Sequence, residues 1–246
     1  MKTFDNRADE RRYYEEEASE ADYLTWYHQQ DWPEYPKPSV TVDFILLRYS
    51  RQTAELECLL IRRKHHPWRG QYALAGGFVE PHEDIVAAGI RELHEETGLT
   101  LSPKQIKQLP AWSKPDRDPR GWVITNPLVV QLGPQEGQEA LAGDDAQSLS
   151  WFGLSDLPAV MACDHKEILA YALDTVRTRL ATQGLYAIQA LLGDQFTLAD
   201  LQAILESLLG HKVVRSNLKR NYRDQLVILG TQKNASGRPA EVLGLA

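Results

Sequence analysis

The alternation of apolar and polar side chains is clearest from Ser39 onward, where Val40, Val42, Phe44 and Leu46 take turns with Thr41, Asp43, Ile45 and Leu47. A period of two predicts a strand, and the run LECLLIRR at 56–63 predicts a second. QYALAGGFV, ending at Val79, reads as a third strand broken by glycine. After Pro81 the period lengthens: Ile85, Val86, Ala88, Ile90 and Leu93 recur at helical spacings, and the glycine of TGL stands where a helix C-cap belongs. A strand-like KQL, the loop SKPDRDPRG, the strand WVITNPLVVQL and an acidic, glycine-rich stretch to Asp145 follow, and SLSWFGLSDLP closes the set. Strands and helices mixed in this order predict an α/β (α+β) fold, an α/β/α sandwich.

Both flanks follow other patterns. Residues 9–30, acidic and aromatic, predict a helix, and the three prolines of DWPEYPKPS predict an extended connector after it. On the other side, 164–182 forms a long amphipathic helix with Ile168, Leu169, Ala172, Leu173, Val176 and Leu180 along one side, which reads as a connector. FTLADLQAILESLLG starts on Thr197 with Asp200 three residues on, a capping-box pattern, and stops at Gly210. Ser216 is the expected cap of a second helix, NLKRNYRDQ, and LVILGTQKNASGRPAEVLGL reads as strand, glycine-rich turn, strand. Helix, turn, basic helix and hairpin in succession predict a winged helix-turn-helix. The expected organisation is an N-terminal segment over 1–35, the sandwich over 36–160, a connecting helix over 161–184 and the winged helix over 185–246.

Composition narrows the classes. With 246 residues, 43% hydrophobic and 25% charged, the chain lies in the globular range, which excludes collagen-like, disordered and membrane classes. Apolar runs such as FILL at 44–47 are far short of a membrane span, and MKTFDNRADERRYYEEE offers no signal-peptide core, so a cytoplasmic protein with no membrane partner is expected. Cys58 and Cys163 have no spacing that suggests a disulfide framework or a metal site. The net charge of −7 argues against a nucleic-acid partner. It averages over an asymmetry, however: from His211 to Arg238 seven Lys and Arg face Asp224 alone. Charge so unevenly divided implies separate tasks.

The helix after Pro81 carries the densest chemistry. At about 100° per residue, Glu92, Glu95 and Glu96 share one face, where like charges repel at roughly a few tenths of a kcal/mol each. A divalent cation reverses that sign. Hard carboxylate oxygens on a rigid element suit Mg²⁺ or Mn²⁺, which keep several waters and share their shell with substrate phosphate. Gly76 and Gly77 lack a Cβ, so the backbone there can approach a metal or phosphate, and a Gly76 carbonyl is a candidate ligand. The competing reading is a solvated acidic face, and it serves for Glu80, Glu83 and Asp84 taken alone.

Spacing decides between them. Gly77, five residues, Glu83, seven residues, then Arg91, Glu92, Leu93, one residue, Glu95, Glu96, one residue, Gly98 and Leu99 match all nine specified positions of the Nudix signature. The chain therefore resembles the Nudix hydrolase superfamily. The resemblance implies that Glu92, Glu95 and Glu96 hold Mg²⁺ or Mn²⁺, that Arg91 orients these carboxylates and that Glu83 assists. The implied reaction is hydrolysis of a nucleoside diphosphate linked to another group. LLIRRKHHPWRGQYALAGGFV, QLPAWSKPDRDPRGWVIT, DHKEIL and the GRPA of 237–240 further resemble the NrtR type, Nudix-related transcriptional regulators of NAD metabolism, over nearly the whole chain from Pro36. That resemblance implies a Nudix domain that senses ADP-ribose or a related nucleotide. It also implies a winged helix that binds double-stranded operator DNA as a homodimer and represses genes of NAD metabolism. Two departures stand out: Ala75 replaces the usual proline of LPGG, and the box is complete where many such regulators have a degraded one. Retained hydrolysis of the ADP-ribose pyrophosphatase type is thus the alternative.

Substrate-binding candidates are Arg62, Gly77, Trp112 and Arg117. Of Arg62 and Arg63, alternation turns one inward toward phosphate, and Arg62 is the candidate. Arg117, in DRDPRG, is set to reach a phosphate or ribose, whereas Asp118 and Arg120 are expected to pair across the turn. Trp112 is a base-stacking candidate with core packing as its competing reading. His65 and His66 lack a carboxylate or thiol partner for a metal. On the DNA side, Arg215 and the cap Ser216 lead into the second helix and Asn217, Lys219, Arg220 and Arg223 lie along it, set to meet phosphates and base edges, and Lys233 and Arg238 belong to the wing, set to meet phosphates. The competing reading there is a basic solvated surface.

Overall fold

The computed structural model describes residues 4–137, 146–233 and 237–246, and the chain divides into two compact units, Met1–Lys37 and Pro38–Ala246. Part of the acidic, glycine-rich stretch (138–145) and the tip of the wing turn (234–236) lie outside the described residues.

The first unit is a pair of helices, α1 (Arg7–Glu16) and α2 (Glu20–His28), where the sequence predicts one. Helix α1 stops at Glu16 with Glu17 as its C-cap, and Ser19, whose backbone is extended (φ −66°, ψ 154°) and whose side chain accepts from the Asp22 N–H, caps the next. Aromatic packing supplies the cohesion, with Tyr14 stacked on Trp26 at 5.0 Å and Trp32 edge-on to Trp26 at 5.8 Å.

In the second unit β1 (Ser39–Ser50) turns back into β2 (Glu55–Arg63), and β3 (Tyr72–Ala73) adds to β2. Helix α3 (Ile85–Thr97) follows, then β4 (Ile106–Gln108), β5 (Val123–Leu132) and β6 (Ala146–Gly153). The sheet runs β3-β2-β1-β5-β4, with β6 paired to β2. Only the β1–β5 ladder, from Ser39↔Val123 to Arg48↔Leu132, is parallel among the described strands. A parallel pair at the middle of a sheet is covered on both faces, which explains why β1 is buried at every position from Thr41 to Leu47 rather than at every second one. Val42, Phe44 and Leu46 pack toward α3, with Ala88 and Leu93. Ile45, Leu47 and Tyr49 pack on the opposite face.

That opposite face is covered by α4 (His165–Gln183). The span read from sequence as a connector buries Ile168, Leu169, Ala172, Leu173, Val176 and Leu180 in one cluster with the sheet and with the C-terminal helices. It is the shared wall of both halves, because its apolar stripe is covered from both. After it come α5 (Gln189–Leu192), β7 (Phe196–Thr197), α6 (Leu198–Leu209), α7 (Arg215–Asn221), β8 (Leu226–Lys233) and β9 (Pro239–Leu245). Helix α6 has the expected capping box, Thr197 with Asp200, and the left-handed Gly210 (φ 73°) at its end. Strands β7, β9 and β8 form the wing sheet in that order. No helix among the described residues is long and apolar enough to cross a membrane.

Candidate nucleotide site and DNA surface

The glycines of the box sit where the chain leaves β3 and runs back along β1, with Phe44 N–H donating to Ala75 O (2.7 Å) and Val42 N–H to Gly77 O (2.9 Å). Neither glycine has room for a side chain. A Cβ on Gly76 (φ 154°) would lie 2.0 Å from Val42 O, and one on Gly77 would lie 2.3 Å from the Glu92 carboxylate. Gly76 meets the box helix through its N–H, which donates to Glu96 Oε2 at 2.7 Å.

Helix α3 starts on Asp84, whose carboxylate accepts from the Val86 and Ala87 N–H groups, and ends on Gly98 (φ 70°). Arg91 gathers the carboxylates. Its guanidinium donates to both oxygens of Glu83 (2.6 and 3.1 Å), to Glu92 (2.8 Å), more distantly to Glu95 (3.4 Å), and to Phe78 O (3.0 Å). The hydrogen bonds to Glu83 and Glu92 push the Arg91 pKa up, and the Arg91 hydrogen bonds hold the Glu83 carboxyl below its ordinary range. Glu92 moves the other way: burial raises its pKa and outweighs the pull of Arg91. A carboxylate in that state gains from a cation.

The three glutamates do not share one surface. Glu92 and Glu96 line a cavity of about 350 Å³, whereas the Glu95 side chain is 57% exposed and turned onto Arg91, outside that lining. Among the described residues no three His, Cys, Asp or Glu converge closely enough to cage an ion unaided. Glu92 and Glu96 beside the Gly76–Gly77 backbone still fit a hard cation, since Mg²⁺ needs one or two carboxylates when water and phosphate complete its shell.

Two of the substrate candidates, Arg62 and Trp112, lie outside the cavity lining, and Arg117 reaches it in a different setting from the one expected. Arg62 points outward, with Nε donating to Gly70 O (3.0 Å), and Arg63 lines the cavity instead. The two residues point to opposite faces as alternation requires, Arg63 on the side of Ile61, which also lines the cavity, and Arg62 away from it. Trp112 lies outside the cavity lining, where Nε1 donates to Asp164 Oδ2 (2.8 Å) and the ring tilts against Tyr171. Arg117 reaches the cavity wall but is buried and bound to Asp164 by two hydrogen bonds, 2.7 and 3.1 Å, rather than extended from a loop. Arg120 pairs with Asp118 at 2.7 to 3.2 Å as expected, and its guanidinium also lies over the Phe78 ring. Gly77 lines the cavity.

Two cavity residues escaped the sequence reading. Asp43, on β1, and His165, first in α4, both reach the wall and both are buried. Leu74 N–H donates to His165 Nδ1 at 2.9 Å, and burial holds the His165 pKa below its ordinary value. The one usable signal was Asp43 itself, the sole charge in the run VTVDFILL.

Two family models match the chain: the NUDIX domain over residues 37–172 and the NrtR DNA-binding winged helix domain over 188–243. The chain belongs to the Nudix superfamily and is of the NrtR type. This NrtR-type chain is 30% identical over 234 residues to the ADPR responsive transcriptional repressor NtrR of Acinetobacter baylyi, covering 93% of its own length and 89% of that relative. It is 42% identical over 135 residues to an ADP-ribose pyrophosphatase of Methanocaldococcus jannaschii, covering 55% of its own length and 73% of the relative. A MutT/nudix family protein from Enterococcus faecalis has a similar crystal structure, with TM-score 0.82 and 34% identity over 99% of this chain and 100% of that one.

In the winged helix of this NrtR-type protein, α7 begins at Arg215 on an extended Val214. Ser216 is therefore inside the helix and does not cap it, and no side-chain cap bond forms at that end. Arg223 falls beyond α7, in a short 3₁₀ turn. Arg215, Ser216, Lys219, Arg220, Arg223, Lys233 and Arg238 are exposed and Asn217 is half-buried. Some are tethered: Arg215 donates to Gln202 on α6 (2.8 Å), Arg220 to Asn217 (3.0 Å), and Lys219 pairs with Glu241 on β9. The last contact joins the basic helix to the wing.

Proposed function

We propose that this protein is a transcriptional repressor that binds double-stranded operator DNA through α7 and the wing and takes ADP-ribose, or a nucleotide close to it, into its Nudix cavity. The observation that carries the reading is the union in one compact unit of a carboxylate-lined cavity and an exposed basic helix and wing. The similarity over nearly the whole chain to the ADPR responsive transcriptional repressor of A. baylyi supports it. Operators of helix-turn-helix proteins come as paired half-sites, so the acting species is a homodimer, in the cytoplasm, on genes of NAD metabolism. Titration of operator DNA with and without ADP-ribose tests this; DNA affinity that ADP-ribose leaves unchanged would sink the regulatory reading.

A second activity is favoured by the intact box. Arg91 ties Glu83 and Glu92 together, Glu96 lies on the Gly76 N–H, and the M. jannaschii relative is an ADP-ribose pyrophosphatase. Mg²⁺ or Mn²⁺ bound here would neutralise phosphate charge and acidify a water. Glu92 and Glu96 are its holders, with Glu95 joining once it swings off Arg91, while Arg91 fixes the carboxylates. Release of AMP and ribose 5-phosphate from ADP-ribose, abolished in Glu95→Gln, is the expected result; no turnover by the unmutated protein would leave the box as a sensor.

A further inference from the structure

One charged side chain interrupts the continuously buried stretch of β1, Thr41 to Leu47. Asp43 is 6% exposed, lines the cavity, and has an Oδ2 that makes no hydrogen bond. Two donors flank it beyond bonding distance: Arg117 Nη2 lies 3.6 Å from Oδ2, and His165 Nε2 lies 3.7 Å from Oδ1. Both are held back. Arg117 is committed to Asp164, and His165 is anchored through Nδ1 by the Leu74 N–H. Buried acceptors in folded proteins normally have a partner, and a carboxylate oxygen without one is costly.

The same geometry selects the partner. With Nδ1 accepting from Leu74, the neutral imidazole carries its proton on Nε2, the nitrogen nearest Asp43. An acceptor-only carboxylate thus stands beside an N–H donor. A hydroxyl matches both, because it donates to one and accepts from the other, whereas a phosphate would meet the carboxylate charge.

We propose that Asp43 and His165 form the subsite for a ribose hydroxyl of the bound nucleotide, with the Asp43 carboxylate accepting a hydrogen bond from it and His165 Nε2 donating one to it; this rests on the nucleotide reading of the cavity. The diphosphate is turned away from this floor toward Gly76, Gly77, Glu92 and Glu96, which line the same cavity and where a divalent cation held by the two glutamates would offset their charge. Asp43 then sets specificity and orientation and takes no part in hydrolysis.

Calorimetric titration of the full chain and of Asp43→Asn, with ADP-ribose and with deoxy analogues that each lack one ribose hydroxyl, tests the assignment. One analogue is expected to bind the unmutated protein about ten- to a hundredfold more weakly than ADP-ribose, the range for a hydrogen bond to a charged group. D43N should show the same deficit with ADP-ribose and no further loss with that analogue. Which analogue shows the deficit tells whether the hydroxyl belongs to the nucleoside ribose or to the ribose beyond the diphosphate. Analogues that all bind like ADP-ribose, or losses that add, would overturn the subsite while leaving the nucleotide reading in place. Should D43N fail to fold, the analogues with unmutated protein decide alone. If the unmutated protein binds no ADP-ribose, the nucleotide reading falls, and the subsite with it.

Discussion

Arg117 holds Asp164 through two hydrogen bonds, 2.7 and 3.1 Å, between side chains that are 4% and 6% exposed. The pair pins the 113–121 loop to the start of α4, and Asp164 also accepts from Trp112 and from the Cys163 thiol. Removing one partner of a buried pair strands the other as an unpaired charge, typically at about 3–5 kcal/mol. Arg117→Ala is therefore expected to destabilise the fold by about that much. Urea denaturation measures it, and a loss within experimental scatter would show that Arg117 is instead free to serve a ligand.

The same pair gives a pH dependence. Burial by itself raises the Asp164 pKa, but the hydrogen bonds from Arg117 and Cys163 outweigh it and hold the group below its ordinary value. A depressed folded-state pKa contributes stability above the unfolded value, lost as pH falls through the folded one. The window lies below about pH 4, the ordinary Asp range. Melting temperature followed from pH 7 to pH 3 should fall at the acid end in the unmutated protein. In Asp164→Asn it should start lower and fall less there; parallel curves would remove Asp164 from the acid transition.

The two box glycines are expected to fail differently. A Cβ on Gly76 would meet the Val42 backbone, which cannot yield, at 2.0 Å, whereas one on Gly77 meets the end of the Glu92 side chain at 2.3 Å. Gly76→Ala should cost at least about 1–3 kcal/mol of stability, the range of backbone strain. Gly77→Ala should leave the melting temperature nearly unchanged and weaken Mn²⁺ binding by about tenfold or more, the scale of displacing a ligand's support. Paired thermal melts and Mn²⁺ titrations check both. Equal effects in the two variants would mean that Glu92 is not the ligand Gly77 makes room for.

The box helix was legible because its chemistry is written in local spacing: Asp84, Arg91, the glutamates and Gly98 all lie within one helix and its caps. The capping box on α6 was legible for the same reason. What escaped depends on elements far apart in the chain. Asp43 looks like the polar half of an alternating strand until α4 brings His165 beside it, and Arg117 looks like a loop residue set to reach a ligand until Asp164 closes on it. Alternation turns one arginine of the Arg62–Arg63 pair inward without saying which face holds the cavity, and Ser216 reads as a cap because nothing local shows that α7 starts on Val214 without a side-chain cap. Nor does an amphipathic stripe tell how many partners bury it, which is why α4 reads as a connector.

Gln225 offers a test of how the two halves communicate. Its side chain donates to Gln183 O at the end of α4 (3.1 Å) and accepts from the Leu185 N–H (2.8 Å), and it lies just past the basic helix α7. His165, at the other end of α4, lines the cavity. Gln225→Ala should leave ADP-ribose affinity and free-protein DNA affinity each within about threefold, while lowering the coupling between them by roughly 1 kcal/mol. DNA titrations at zero and saturating ADP-ribose give that coupling directly. An unchanged coupling would show that the signal bypasses the end of α4.

The DNA surface is tested by salt. Arg220 is exposed on α7, restrained by its bond to Asn217, so a phosphate contact from it would cost little side-chain ordering. Each phosphate neutralised by a cation contributes close to one unit to the slope of log affinity against log salt. Arg220→Ala should then reduce that slope by about one and weaken binding similarly across DNA sequences, whereas a base contact would cost about 1–3 kcal/mol on the operator alone. Fluorescence anisotropy with operator and scrambled duplexes from low to moderate salt separates the two. Nucleotide affinity should not change in either case, since Arg220 lies outside the cavity lining. If the slope and both affinities stay as they are, α7 is not the element that meets DNA, and the basic helix is the solvated surface its charge alone would allow.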